Sequence, residues 1–490
     1  MKNIILILAA SFVFTSCSEN NYVLFSGNIA NSKDTTMKIV NINRDFKKEV
    51  TIDENGNFRD TLYITSPGAY SYQIGRSYAP VFFREGYDLN LSIDANDFYK
   101  SRKFKGKGSE VNNYHVAKSA LKNELVGDAK TFFVVPLENF LIKIKKNKET
   151  LLAFLEASTL NGQDKEIQRK IIEHDYLLTR YNYDKFNYYH TKIHPELPEA
   201  YYDPIIEMDL DDEVSFIYDK SYRILIVENW RFTSKEAMEI DPSFTQVSFV
   251  KNKIKDIKST KIKDFIVSML FNQISLKNKN YETDYPRILE MLKGDQLKEK
   301  LMAKFVGVQN TKPEMPAPDF NYENYTGGNT TLKDLKGKLV YIEIWATWCG
   351  PCIKEMPALT QLIKDFKGRN VEFVSISVDS KRDYEKWRKM IPEKNVGGMQ
   401  LLADKSLESD FMKAFSIGLI PRTLLLDEEG RIITIKAPRP SAANTKHYID
   451  SLLTRTIMKT KTKTMSMTKS MTKSMTKSMT KSLTKPTKLQ

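Results

Sequence analysis

Two cysteines three positions apart, Cys349 and Cys352, are the residues of this 490-residue chain best suited to covalent chemistry. An apolar run from Leu339 to Ile344 stops at Trp345-Ala346-Thr347-Trp348, and Cys349-Gly350-Pro351-Cys352 turns into a helical pattern interrupted by Pro357. A thiol just ahead of a helix faces unpaired backbone N–H groups and the positive end of the dipole, which favours its thiolate. Cys349 takes that place as the attacking thiol. Cys352, one turn further in, is expected to be more buried and to resolve the mixed disulfide that Cys349 forms. Cys-x-x-Cys is also half of many zinc sites, but only one other cysteine exists, Cys17, and no histidine lies between Cys352 and His447. The pattern therefore calls for no metal and no cofactor.

Glu343 stands between Ile342 and Ile344 in a run expected to be buried on both faces. A buried carboxylate is costly, so its pKa should rise, which suits a group that accepts the Cys352 proton. The competing reading is an edge position or a water pocket that keeps Glu343 wet. Further along, Ile420-Pro421 precedes the apolar run Thr423–Leu426, and proline belongs at the beginning of a strand or in a tight turn.

The elements that must position these residues lie at about 313–455. Strands are expected at 339–345, 371–378, 399–402, 422–427 and 431–435, with helices at 351–367, 381–391, 406–415 and 441–454. That alternation predicts an α/β layer structure with a late antiparallel hairpin at Glu428-Glu429-Gly430. The proline-rich segment 312–318 marks its boundary. Four pieces of this stretch resemble the thioredoxin superfamily in its TlpA/ResA-type envelope thiol–disulfide oxidoreductases. They are Ala317-Pro318-Asp319-Phe320, Leu335-Lys336-Gly337-Lys338, Trp345 to Cys352 with Pro357, and Gly418 to Asp427.

The resemblance implies a redox-active Cys349–Cys352 disulfide and a cis Pro421 facing it. Trp348 would flank the reactive sulfur, Ile420 would offer its backbone to an extended substrate, and Gly350 and Pro351 would complete the binding surface. Glu343 falls where thioredoxins keep a buried acid. Two departures stand out: Arg422 follows the proline where a smaller Thr is common, which would bias substrates toward acidic ones, and Ser375 stands about where thioredoxin has a lysine near its acid. Peroxiredoxins share some of these features but carry their lone peroxidatic cysteine in another motif, which disfavours peroxidase activity. Gly-Pro between the cysteines goes with the reducing end of the family, near about −270 mV rather than about −120 mV.

Residues 1–17 set the compartment. A charged start, an apolar run from Ile4 to Phe14 and Thr15-Ser16-Cys17 resemble a bacterial lipoprotein signal with lipidation at Cys17. The run is too short to span a bilayer, which takes about 20 residues. An ordinary secretory signal is the alternative, and both imply export. The expected place is the periplasm-facing envelope on a lipid anchor, with the outer membrane favoured over the inner. There the thiols would need a membrane electron donor of the thioredoxin-reducing type, and disulfide-containing envelope proteins would be the partners.

The remaining chain carries no rival catalytic constellation. With 41% hydrophobic and 11% aromatic residues it is globular in composition. Nine of its fourteen excess positive charges are lysines at or beyond Lys459, so the charge points to no nucleic-acid groove. Residues 20–108 alternate as short strands and predict a small antiparallel β-sandwich. They resemble a β domain of unknown function found ahead of thioredoxin domains in Gram-negative envelope lipoproteins, through Phe25-Ser26-Gly27, Asp53 to Phe58, Phe83 to Gly86 and Lys105 to Glu110.

Residues 110–308 read as helical, firmest at Asn139–Leu155, Lys165–Asn187, Glu213–Trp230 and Lys261–Ile274. A tyrosine stripe there reads as interhelix packing, His190 and His194 as half a metal site at most, and Asp209–Glu213 as a helix start. Residues 456–490 are a disordered Lys/Thr/Ser/Met repeat tail in composition. The expected whole is multidomain: an N-terminal β-sandwich, an α-helical middle and a C-terminal α/β thioredoxin fold. Two functions compete. One is an enzyme acting on disulfides; the other is a binding or scaffold lipoprotein whose first 300 residues act and whose redox pair is accessory.

Overall fold

A computed structural model describes residues 22–42 and 46–455. The leader with Cys17 and the repeat tail lie outside the described residues. The chain divides into two compact units. One runs to Leu270 and includes Met291–Lys293; the other holds Phe271–Glu290 and the chain from Gly294 onward.

The first unit opens with β1 (Val23–Ala30), β2 (Thr36–Asn41), β3 (Lys47–Thr51), β4 (Asn57–Leu62), β5 (Gly68–Ile74), β6 (Ser77–Phe83), β7 (Asp88–Asp94) and β8 (Lys103–Lys107). They make two four-stranded sheets, ordered β4-β1-β7-β8 and β3-β2-β5-β6. Alternation sets the faces: in β7, Leu89, Leu91 and Ile93 are buried while Asp88, Asn90 and Ser92 are exposed. The apolar faces of both sheets share one core, where the Phe25 ring lies 5.2 Å from that of Phe83. The sheets are not wholly antiparallel as expected, because β1 pairs with β7 in parallel. Gly27 permits this close pairing: a Cβ there would lie 1.9 Å from the Leu91 carbonyl oxygen.

Nine helices follow among the described residues of this unit: α1 (Ser109–Val126), α2 (Ala129–Phe133), α3 (Leu137–Glu156), α4 (Gly162–Thr191), α5 (Asp203–Ile206), α6 (Glu213–Tyr218), α7 (Lys220–Ile240), α8 (Gln246–Lys253) and α9 (Thr260–Ser268). Val111, Tyr114, Leu151, Leu155 and Ile172 from these helices join the core of the sheets, so the expected β and helical regions pack as one body. The helix expected over Glu213–Trp230 breaks at Asp219, whose carboxylate caps α7 through the Ser221 N–H at 2.7 Å.

Tyr181 and Tyr183 are buried, Tyr183 packing on Phe140 at 4.5 Å in the interhelix role expected of the stripe, whereas Tyr188 and Tyr189 of the same stripe are exposed. Asp212 caps α6, so the acidic run begins a helix. α4 ends at Thr191, and His194 beyond it binds the Asp184 carboxylate at 2.7 Å rather than sharing a helix face with His190.

In the second unit, α10 (Tyr281–Met291) and α11 (Asp295–Asn310) precede a seven-stranded sheet. These two helices were expected with the helical middle but pack with the C-terminal part. The sheet contains β9 (Asn321–Asn324), β10 (Asn329–Thr331), β11 (Leu339–Trp345), β12 (Val371–Ser377), β13 (Met399–Leu402), β14 (Arg422–Leu426) and β15 (Ile432–Thr434), in the order β10-β9-β13-β12-β11-β14-β15. Helices α12 (Gly350–Asp365), α13 (Tyr384–Glu393) and α14 (Asp410–Ala414) connect the strands, and 445–455 is helical. The proline-rich segment is tied to the sheet edge, not left as a linker: Glu314 N–H donates to Ile432 O at 2.7 Å and Ala317 N–H to Gly430 O at 2.9 Å.

Candidate active site

β11 delivers the site. Every residue from Leu339 to Trp345 is buried, because parallel β12 flanks the strand on one side and antiparallel β14 on the other. Beyond its end the chain is held by a clamp that the sequence did not advertise. Asp379, just past β12, accepts the Thr347 N–H at 2.9 Å, the Thr347 hydroxyl at 2.8 Å and the Ser377 hydroxyl at 2.7 Å. Cys349 N–H then donates to Ala346 O at 3.0 Å, which closes the turn into α12.

Cys349 is the N-cap of α12, and Cys352 N–H points at its Sγ at 3.2 Å. This is the orphan donor of a helix start turned toward sulfur, an arrangement that stabilises a thiolate. The two cysteines are joined as a disulfide with their Cα atoms 5.3 Å apart. Cys349 keeps 5% of its surface exposed and Cys352 none, so only the first sulfur is approachable. Trp348 beside it is 54% exposed. Gly350 and Pro351 are exposed in the first turn of α12, where proline is tolerated because that N–H has no helical partner.

The Ile420–Pro421 peptide is cis. Pro421 leads directly into β14, whose first residue, Arg422, pairs with Ile344 near the C-terminal end of β11. The cis proline therefore lies at the same end of the sheet as the disulfide turn. Ile420 is half-buried and packs on the core of this unit.

Glu343 is buried, 2% exposed, between Ser375 of β12 and Thr423 of β14. Its Oε1 has no hydrogen-bond partner. Burial, and secondly the charge of Glu355, push its pKa up to about 8. Ser375, expected where thioredoxin keeps a lysine, is the residue directly opposite, so no cation relieves this acid from that strand. Glu355 is the second buried acid. It lies on α12 one turn beyond Cys352, and Ser441 donates its N–H and its hydroxyl to the two carboxylate oxygens, each at 2.9 Å. Glu355 and Asp379 escaped the sequence reading. Polar residues adjoin both in the sequence, Lys354 beside Glu355 and Ser380 beside Asp379, and their partners lie 86 and 32 positions away.

Together these features define a dithiol–disulfide centre mounted at the end of an α/β sheet. Sequence relatives agree. Residues 313–435 match the model of the AhpC/TSA family. "Thiol-disulfide oxidoreductase ResA" of Bacillus subtilis is 31% identical over 134 residues, which cover 27% of this chain and 72% of that protein. "Thioredoxin-like protein YneN" of the same organism is 33% identical over 130 residues, covering 26% of this chain and 72% of that one. Among solved structures, the thioredoxin domain of a thiol-disulfide oxidoreductase from Bacteroides vulgatus aligns at 27% identity and a TM-score of 0.27, covering 29% of this chain and 98% of that one. The chain belongs to the ResA/TlpA-like thiol–disulfide oxidoreductases of the thioredoxin superfamily. It is an oxidoreductase with thioredoxin-like redox function.

Proposed function

We propose that this protein reduces or exchanges protein disulfides in the bacterial envelope through the Cys349–Cys352 pair. The observation that carries the reading is the pair itself: a disulfide at a helix N-terminus with the Cys352 N–H aimed at Cys349 Sγ, the one approachable sulfur. In the reduced chain the Cys349 thiolate attacks one sulfur of a substrate disulfide, and the other sulfur leaves as a thiolate. Cys352 then loses its proton and attacks Cys349 Sγ. The first substrate sulfur departs, and two electrons have passed to the substrate.

Glu343 serves as the proton acceptor for Cys352, since an acid with a pKa near about 8 exchanges protons with a thiol at little cost. Trp348, Gly350, Pro351, Ile420 and cis-Pro421 form the surface on which the substrate segment lies. Resetting the oxidised pair takes an external dithiol, which we assign to a membrane donor of the thioredoxin-reducing type. Lipidation at Cys17 would hold the protein on the periplasmic face, with the outer membrane favoured.

The test is turnover. With dithiothreitol as reductant, the full chain should reduce the interchain disulfides of insulin, and Cys349→Ala should fall to the uncatalysed rate. No turnover by the wild-type chain would refute the reading.

A further inference from the structure

The strand that follows cis-Pro421 carries information about the substrate. Arg422 opens β14 opposite Ile344, at the sheet end that holds the disulfide turn. Its side chain is half-buried, and burial lowers its pKa with no carboxylate offsetting the effect. Lys436 lies on the segment that adjoins β14: next to it, Ala437 N–H donates to Thr423 O at 3.0 Å, and the Thr423 hydroxyl donates to Ala437 O at 2.5 Å. The charge of Lys277, from the segment ahead of α10, also reaches Lys436. After burial itself, the charges of Lys277 and Arg422 are what hold Lys436 below its ordinary pKa.

Lys436 and Lys277 are exposed. Among the described residues none of the three forms an ion pair, although in the same unit Lys312 finds Glu282 at 2.7 Å and Lys446 finds Asp365 at 3.1 Å. Three mutually repelling cations without a counter-charge lose stability that an arriving anion restores. A solvated surface cluster would not require Arg422 to be half-buried directly after the cis proline.

We propose that Arg422, Lys436 and Lys277 form a cationic lip beside the disulfide turn, which selects protein disulfides flanked by Asp or Glu. The inference rests on the exchange reading above and adds to it the class of substrate. A carboxylate near the substrate cystine would meet the Arg422 guanidinium, which suits bidentate pairing. Exposed Trp348 and Leu419 would receive apolar neighbours. The sulfur chemistry is unchanged: Cys349 attacks, the substrate thiolate leaves, and Cys352 closes the disulfide.

Three disulfide-bridged peptides of one core sequence, flanked by Glu, by Gln or by Lys, are mixed with the pre-reduced full chain in single-turnover reactions. At low ionic strength the Glu peptide should react about fivefold faster than the Gln peptide and the Lys peptide slower, the differences shrinking with added salt. Arg422→Gln should cut the Glu-over-Gln ratio, the double variant Lys436→Gln/Lys277→Gln should cut it too, and Arg422→Lys should keep most of it. Taking a ratio removes any general loss of activity in a variant. Equal rates for the three peptides, or a ratio unmoved by Arg422→Gln, overturn the lip while leaving the exchange reading intact. Failure of the Gln peptide to react with the wild-type chain defeats the exchange reading, and the lip with it.

Discussion

A carboxylate in the middle of a sheet loses its hydration, and Glu343 recovers little of it, since its Oε1 has no partner and its cross-strand neighbours are Ser375 and Thr423. Its folded pKa of about 8 lies above the ordinary 4.5, so between those values the folded chain holds a proton that the unfolded chain has released. Stability should therefore fall as pH rises from about 4.5 through about 8, by at most about 5 kcal/mol. Glu343→Gln should remove that slope, which urea unfolding across the range would show; equal slopes in both proteins would contradict the assignment. If Glu343 also takes the Cys352 proton, the resolving step in the wild type should speed up as pH rises through about 8. In Glu343→Gln that step should be slower by about 10²-fold, read by stopped-flow release of the second substrate thiol. Apolar neighbours made this residue legible in the sequence. Asp379 and Glu355 were not, because what gives each its role is a partner supplied by the fold.

Elements bring those partners together. Asp379 follows β12 and Thr347 follows β11, so the parallel pairing of these strands turns a separation of 32 positions into hydrogen bonds. Asp379→Ala would leave the Thr347 N–H and two hydroxyls without their acceptor, and should cost about 2–3 kcal/mol in chemical denaturation. The alternation of the C-terminal strands and helices was readable because apolar residues make up most of β11, β12 and β14. By contrast β3 buries only Val50 and β8 only Phe104, so neither shows the apolar alternation that marks a strand. The parallel β1–β7 pairing was equally hidden, since it depends on a backbone approach that only Gly27 allows. Gly27→Ala should destabilise the chain by more than about 2 kcal/mol, with the cysteine chemistry unaffected in the folded fraction. An unchanged unfolding midpoint would show that this pairing tolerates a side chain.

Across the whole molecule, the expected β-sandwich and helical middle turn out to share a core, while α10 and α11 pack with the redox unit. Composition and periodicity along the chain carry no signal for either grouping, because long-range packing decides it. The balance of charge was legible: nine excess lysines lie in the tail, and the folded part keeps acid and base nearly even. Lipidation at Cys17 predicts that the full-length protein, expressed in a Gram-negative host, sediments with membranes and enters the detergent phase on phase separation. Cys17→Ser should stay in the aqueous phase, and identical partitioning of the two would contradict the anchor.

The central claim is the order of the two sulfurs, Cys349 outward and Cys352 behind it. Reduced Cys352→Ala chain, mixed with a disulfide-bridged peptide and measured by intact mass under non-reducing conditions, should hold one peptide on Cys349, released by dithiothreitol. Capture by Cys349→Ala in its place, or by neither variant, would contradict the account.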